Sequence, residues 1–257
     1  MSARGPMATA GADGPDDVLT VEVVVEVLAR GALSVEGRLV DASNATLYCR
    51  VALDGIEAAC VYKPIAGERP LWDFPDGTLA HREVAAYGVS QAGGWGVVPP
   101  TVFRDGPFGP GMVQWWIEVD DEVDLVHLVR SHDERLRTVA VYDAVINNAD
   151  RKGGHLLPDR DGGLWAIDHG VAFSEDDKLR TVLWGWAGDR IPDDDLDRVR
   201  AVDDAMDDPS SDLARALSDL LSPRERRATR RRVRSLLRSG RHPEPGGDWP
   251  PVPWPPF

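Results

Sequence analysis

The stretch NNADRKGGHLL, residues 147–157, decides how the chain is read. It gathers an acid, two cations, two glycines and a histidine (Asp150 to His155) just ahead of an apolar pair. The preceding run DERLRTVAVYDAVINNA reads as a buried helix, so Asp150 stands at the helix exit, in a loop that Gly153 and Gly154 free from the usual backbone restrictions. The segment HLLPDRDGGLWAIDHG (155–170) then reads as a short hairpin that closes on Asp168, just before Gly170. Taken singly, each acid is equally an ordinary turn residue. Together they form a spacing: Asp150, Lys152 two residues on, a polar, ligand-capable His155 at plus five, a hairpin, and an Asp-x-Gly eighteen residues after Asp150. Phosphoryl transfer needs these types, namely a carboxylate to orient the attacking hydroxyl, a cation on the moving phosphate, and ligands for the magnesium ion that bridges the phosphates.

Lysine usage points the same way. Only Lys63, Lys152 and Lys178 occur among 29 lysines plus arginines. A chain that fills cationic positions with arginine keeps lysine where a compact ammonium is wanted, for example on a phosphate. Lys63 ends the apolar run AACVYKP, where a charge has to be neutralised or used.

Three runs, VEGRLVD, ATLYCRVAL and IEAACVYKP, alternate as antiparallel strands, and the Asp54-Gly55 pair predicts a two-residue turn that sets Cys49 opposite Cys60 as two buried thiols. Upstream, VLTVEVVVEVLARGAL (18–33) fits either a helix ending near Gly31 or a strand. Thr78 is the expected cap of a helix LAHREVAAYGVSQA that carries Glu83 and stops at Gly93-Gly94, and GPGMVQWWIEV reads as a further strand. Val61 shares the face of Lys63, where an adenine ring could rest. Gln114, Trp115 and Trp116 lie where a hinge between lobes is expected, with core packing as the other reading of the tryptophans.

Composition bounds the partners. A net charge of −14 opposes nucleic acid and anionic bilayers. No run reaches the roughly 18 apolar residues of a membrane span, and the first residues lack the apolar core of a secretory signal, so the expectation is a cytoplasmic protein without integral membrane association. The acidic stretch near 191–212 and the arginine-rich SPRERRATRRRVRSLLRSGRH read as helices that face each other, with Val233, Leu236 and Leu237 turned inward. The ending HPEPGGDWPPVPWPPF reads as an extended proline-rich arm, with Trp249 and Trp254 as candidate anchors.

These motifs carry a resemblance. NNADRKGGHLL with AIDHGVAF is similar to the catalytic and metal loops of the phosphatidylinositol 3- and 4-kinase-like and HipA-type atypical kinases, and VYKP with HREVAAY resembles their strand lysine and helix glutamate. The likeness spans roughly Arg38 to Phe173, and the whole chain resembles a small actinobacterial group described as phosphatidylinositol kinase-like. It implies an α+β, two-lobed kinase-like fold with a small antiparallel-sheet N-lobe (19–117), a mostly helical C-lobe (118–241), a tail over 1–18 and the arm over 242–257. It also implies ATP and Mg²⁺ as cofactors, Asp150 as base or orienting carboxylate, Lys152 beside it, Lys63 on the phosphates with Glu83 as its partner, and Asp168 as principal metal ligand. Two departures stand out. His155 replaces the family's asparagine and brings a nitrogen donor that suits manganese better than magnesium, or that hydrogen-bonds a phosphate. Ser43 and Asn44 stand where a glycine-rich flap is usual, so backbone amides of that turn would form the cradle. The implied activity is transfer of the γ-phosphate of ATP to a hydroxyl of a small molecule or protein. The alternatives are a nucleotide-binding pseudokinase or an adenylyl-transferring variant acting through a partner, or a nonenzymatic acidic scaffold.

Overall fold

The computed structural model describes residues 19–39, 44–247 and 249–257; the expected tail over 1–18 and Ser43 lie outside the described residues. The chain forms two compact units, one of residues up to Val84 with Pro99–Trp116, the other of Ala85–Val98 with Ile117–Phe257.

The first unit is built around a hairpin. Asp54 and Gly55 have φ of 50° and 84°, the left-handed pair that a two-residue turn requires, and they join β2 (Leu47–Leu53) to β3 (Ile56–Pro64). Cys49 therefore faces Cys60, and both are free, buried thiols. Burial pushes the thiol of Cys49 up to about 11 and that of Cys60 up to about 12, so both stay protonated.

The ambiguous 18–33 stretch is a helix, α1 (Val21–Arg30), because Val24, Val27 and Leu28 fall on one face and are buried there. Gly31 ends it: a Cβ there would sit 2.6 Å from both the Val27 carbonyl and Val51. That close passage lets β1 begin at Ala32 (Ala32–Arg38), three residues ahead of the VEGRLVD run. A strand that the sequence reading did not separate, β4 (Thr101–Gly106), pairs with β5 (Gly109–Trp115), and β5 inserts beside β3, giving the antiparallel order β1-β2-β3-β5-β4. Residues 101–106 were missed because Arg104 and Asp105 break the apolar pattern, yet Arg104 is used: its guanidinium donates to the carbonyls of Leu28 and Gly31 and so satisfies the end of α1.

Side chains alternate across β3, so Ala58, Cys60 and Tyr62 are buried on one face while Ala59, Val61 and Lys63 point to the other. The helix α2 (Leu79–Ala92) places His81 stacked on Phe103, whose strand partner is Met112, the partner of Lys63, so the first turns of α2 lie on the Lys63 face. The expected cap is corrected here. The Thr78 hydroxyl donates to the Pro75 carbonyl, and the carboxylate of Glu68 accepts the N–H groups of Leu79 and Ala80 instead.

In the second unit, α4 (Glu134–Ile146) runs through the core, with Leu136, Val139, Val141, Tyr142, Val145 and Ile146 all buried. Around it lie the end of α2, the short α3 (Leu125–Arg130), a two-stranded ribbon β6 (Leu156–Pro158) and β7 (Leu164–Ala166), and three helices, α5 (Asp193–Asp207), α6 (Asp212–Leu220) and α7 (Pro223–Ser239). α7 starts at a capping box of Ser222 and Glu225 and packs Val233 and Leu236 inward. Its arginines meet the acidic neighbour: Arg230 and Arg234 pair with Asp203 and Asp207 of α5. The side of α7 that carries Arg230 and Arg234 is thus neutralised by α5. Among the described residues, no helix is long and apolar enough to cross a membrane.

Candidate active site

The first unit holds one group of the expected residues. Lys63 Nζ lies 2.7 Å from Glu83 Oε1, and the Glu83 side chain is almost completely buried while the lysine keeps some exposure. A buried carboxylate is stabilised by such a cation, and the contact fixes the ammonium on the sheet face that α2 flanks. Val61 is half-buried on that face and stands opposite Tyr48 and Gln114 in the ladder. Trp116 meets Tyr48 edge to face at 5.0 Å, so it belongs to the same side. Gln114 is buried there, its amide donating to Thr101 Oγ1. Trp115 is on the other face: it pairs with Cys60 and is buried, so its ring cannot share a surface with Val61. Asn44 ties its segment to the one that follows β3, accepting the Arg69 N–H at its side-chain oxygen.

The second unit holds the other group, and its geometry starts at the end of α4. Asn147 terminates that helix in the left-handed region at φ 55°, its side chain accepting the Lys178 N–H and donating to the carbonyls of Ser174 and Asp176. The chain then turns into the loop. Asp150 donates its backbone N–H to Asn148 Oδ1, and its carboxylate lies 3.3 Å from Lys152 Nζ. Burial raises the pKa of Asp150; Lys152 works against that rise and Asp168 adds to it. Asp150 and Asp168 are therefore close enough to feel each other's charge. Asp168 itself has φ 61°, a backbone setting that a residue with a Cβ adopts at a cost, and it aims its carboxylate at His155, with Oδ2 3.3 Å from Nε2. Asp150, Lys152, His155 and Asp168 are thus gathered in one unit.

Behind this loop lies a brace that the sequence reading only touched. Arg151 is completely buried; its Nε and Nη2 clasp both oxygens of Asp143, and its Nη1 donates to the carbonyls of Ile167 and, more weakly, His155. One guanidinium therefore ties the helix, the catalytic-type loop and the Asp168 loop together. Nη2 also lies 2.7 Å from His169 Nε2, and since arginine only donates, that nitrogen is the acceptor. Asp143 was missed, although an acid inside the apolar run TVAVYDAVI is itself a sign of a buried partner. The third lysine, Lys178, is buried with its ammonium 4.6 Å from the centre of the Trp249 ring.

His155 Nε2 and Asp168 Oδ2 form a two-donor set, and among the described residues no group of three or more His, Cys, Asp or Glu could hold an ion alone. Two protein donors fit a cation that takes its remaining ligands from phosphate oxygens and water.

No known family model matches the chain. Among solved structures it is similar to the Golgi casein kinase with Mn and ADP bound, at a TM-score of 0.50 and 14% identity over 85% of this chain and 75% of that one. It is similar also to the Helicobacter pylori proinflammatory kinase CtkA, at a TM-score of 0.50 and 12% identity over 81% of this chain and 92% of that one. Identities this low speak to the fold alone, and the fold is an α+β, kinase-like one. Over 266 aligned positions the chain is 46% identical to Protein Rv2133c of Mycobacterium tuberculosis (strain ATCC 25618 / H37Rv), covering 90% of this chain and 94% of that one. The chain belongs to the same protein family as Rv2133c.

Proposed function

We propose that the protein is an ATP-dependent phosphotransferase of the atypical kinase type, acting on a hydroxyl of a small molecule or protein. The observation that carries this reading is the Lys63–Glu83 ion pair, a strand lysine held by a helix carboxylate, in a chain of kinase-like fold. It is supported by the second group of residues and by the resemblance of its two loops to the phosphatidylinositol 3- and 4-kinase-like and HipA-type kinases. The ADP and Mn present in the Golgi casein kinase structure support nucleotide and divalent metal as ligands here.

In this reading Lys63 neutralises the phosphates, while Val61 and Trp116 offer apolar contact to the adenine, with Gln114 and the backbone near Trp115 at its edge. Asp168 and His155 would hold Mg²⁺ or Mn²⁺, which would supply charge neutralisation at the phosphate oxygens. Asp150 accepts the proton of the acceptor hydroxyl as its oxygen bonds to the γ-phosphorus, and the bond to the bridging oxygen breaks to release ADP. Lys152 keeps the Asp150 carboxylate ionised and faces the incoming negative charge. Inositol-like headgroups, other small polyols and serine side chains are the acceptor classes to screen.

The test is incubation with ATP and Mg²⁺ or Mn²⁺, a panel of polyols and a serine-rich protein, read by ADP release and intact mass. Metal-dependent ADP formation with phosphate on an acceptor or on the chain supports the reading. An added AMP instead of phosphate, or tight ATP binding with no turnover, overturns it in favour of adenylyl transfer or a pseudokinase.

A further inference from the structure

The proline-rich arm lies against the loop that carries Asp150 and Lys152. Proline cannot donate from its backbone nitrogen, but its carbonyl is a full acceptor. Pro250 accepts from Arg180 Nε at 3.0 Å, and Pro251 accepts both the Thr181 N–H at 2.9 Å and the Trp184 indole N–H at 2.8 Å. Pro256 accepts the Gly153 N–H at 2.8 Å. Trp249 is anchored under Lys178. Trp254, the other expected anchor, is 86% exposed, so the arm is held mainly by its carbonyls and by Trp249.

The segment that receives the arm is itself laid on the loop. The Arg180 N–H donates to the Asn148 carbonyl, the Arg151 N–H to the Arg180 carbonyl, and the Val182 N–H to the Arg151 carbonyl. The arm therefore holds the loop twice, through residues 180–184 and directly at Gly153. The direct contact is also steric. A Cβ at position 153 would lie 2.1 Å from Phe257 Cε1, and the three nearest atoms all belong to that ring. Gly153 is not among the positive-φ glycines, so it is the ring, and no backbone requirement, that excludes a side chain there.

We propose that residues 249–257 are a positioning strap for the catalytic loop: the Pro256 carbonyl and the Phe257 ring fix the Lys152–Gly153 segment and, through it, the pose of Lys152 beside Asp150. This role rests on the phosphotransferase reading above. The strap touches no reacting atom, so its effect falls on turnover while ATP binding is spared.

The experiment is a double-substitution cycle on the full chain, with amide hydrogen exchange at Gly153 as a second readout. Gly153→Ala forces strap and loop apart, and kcat falls about tenfold or more, as a small misplacement of reacting groups allows, with KM for ATP nearly unchanged. Phe257→Ala in the same chain removes the obstructing ring, returns kcat most of the way to wild type, and restores slow exchange at residue 153. Unchanged kcat in Gly153→Ala, or no rescue by Phe257→Ala, overturns the proposal. If Gly153→Ala does not fold, Trp184→Phe loosens the strap away from the loop and should speed Gly153 exchange and lower kcat together; faster exchange with undiminished kcat overturns it as well. Rapid Gly153 exchange in the wild type would show that the strap is not docked, whatever the activity. A wild type that transfers nothing while this amide stays protected defeats the phosphotransferase reading, and with it the catalytic role of the strap, leaving only its docking.

Discussion

Replacing Asp150 by Asn is expected to slow phosphoryl transfer by roughly 10²–10⁴-fold while ATP still binds, the effect of removing a positioned general base. The substitution is nearly isosteric, and the backbone bond from residue 150 to Asn148 does not involve the side chain that changes. Steady-state kinetics beside an ATP titration reads both halves, and undiminished turnover removes Asp150 from the reaction.

The same residue predicts a pH dependence. Burial raises the Asp150 pKa, against the pull of Lys152, so the carboxylate takes up its proton at a higher pH than an ordinary aspartate. Activity should therefore fall on acidification at a higher pH than an ordinary aspartate would give. Lys152→Met, which removes the main lowering influence, should move that fall to higher pH still. The stability sign follows from linkage. A raised carboxylate pKa means that the folded state holds the proton more tightly than the unfolded one, so stability declines as pH rises from the unfolded pKa through the folded one. Asp150→Asn removes that decline and should leave the protein as stable as wild type or slightly more so at neutral pH, which separates a chemical defect from a folding one.

Arg151→Ala is expected to cost about 3–5 kcal/mol, the usual loss when one partner of a buried ion pair is removed. Asp143 would be left as an uncompensated, fully buried carboxylate retaining only the Asn148 amide, and the carbonyl of Ile167 would lose its guanidinium donor. Against a total stability of about 5–15 kcal/mol, the second unit would be marginal. Arg151→Lys should rescue little, because an ammonium cannot make the two-pronged contact with Asp143 and reach Ile167 together. Denaturant unfolding measures both variants, and a loss below about 1 kcal/mol, the scale of an exposed pair, would mean that the clasp does not hold the loops.

What was legible in the sequence was what is local. The Asp54-Gly55 turn and the Cys49–Cys60 register follow from two adjacent residues, and the loop from Asp150 to His155 is marked by its own glycines and charges. Gly31 was legible only as the end of α1 if that stretch were a helix, and the structure decides for the helix, with a passage at Gly31 that a side chain would block. The rest depends on partners distant in the chain. Glu68 caps α2 from eleven residues away, a pairing that no capping motif announces. β4 was hidden because its polar residues act in tertiary contacts, Arg104 reaching α1 across more than seventy residues. The same holds within the candidate site. The order of Lys63, Glu83, Asp150 and Asp168 could be read from spacing, but the burial of Trp115 on the opposite sheet face is a matter of strand parity, which a run of two tryptophans does not reveal. Asp143, an acid inside an apolar run, signals that it has a buried partner but not which one, and Pro256, which holds the loop from another place, carries no local signature of that use.

The proposed phosphotransfer requires one ATP molecule to engage Lys63 and Asp168 alike, residues 105 positions apart. Calorimetric titration of ATP with Mn²⁺ into the wild type, Lys63→Met and Asp168→Ala measures this directly, with melting curves confirming that each variant is folded. The prediction is a single binding event in the wild type, weakened about tenfold or more, or about 1.4 kcal/mol, by each substitution. Wild-type affinity in either folded variant would contradict it.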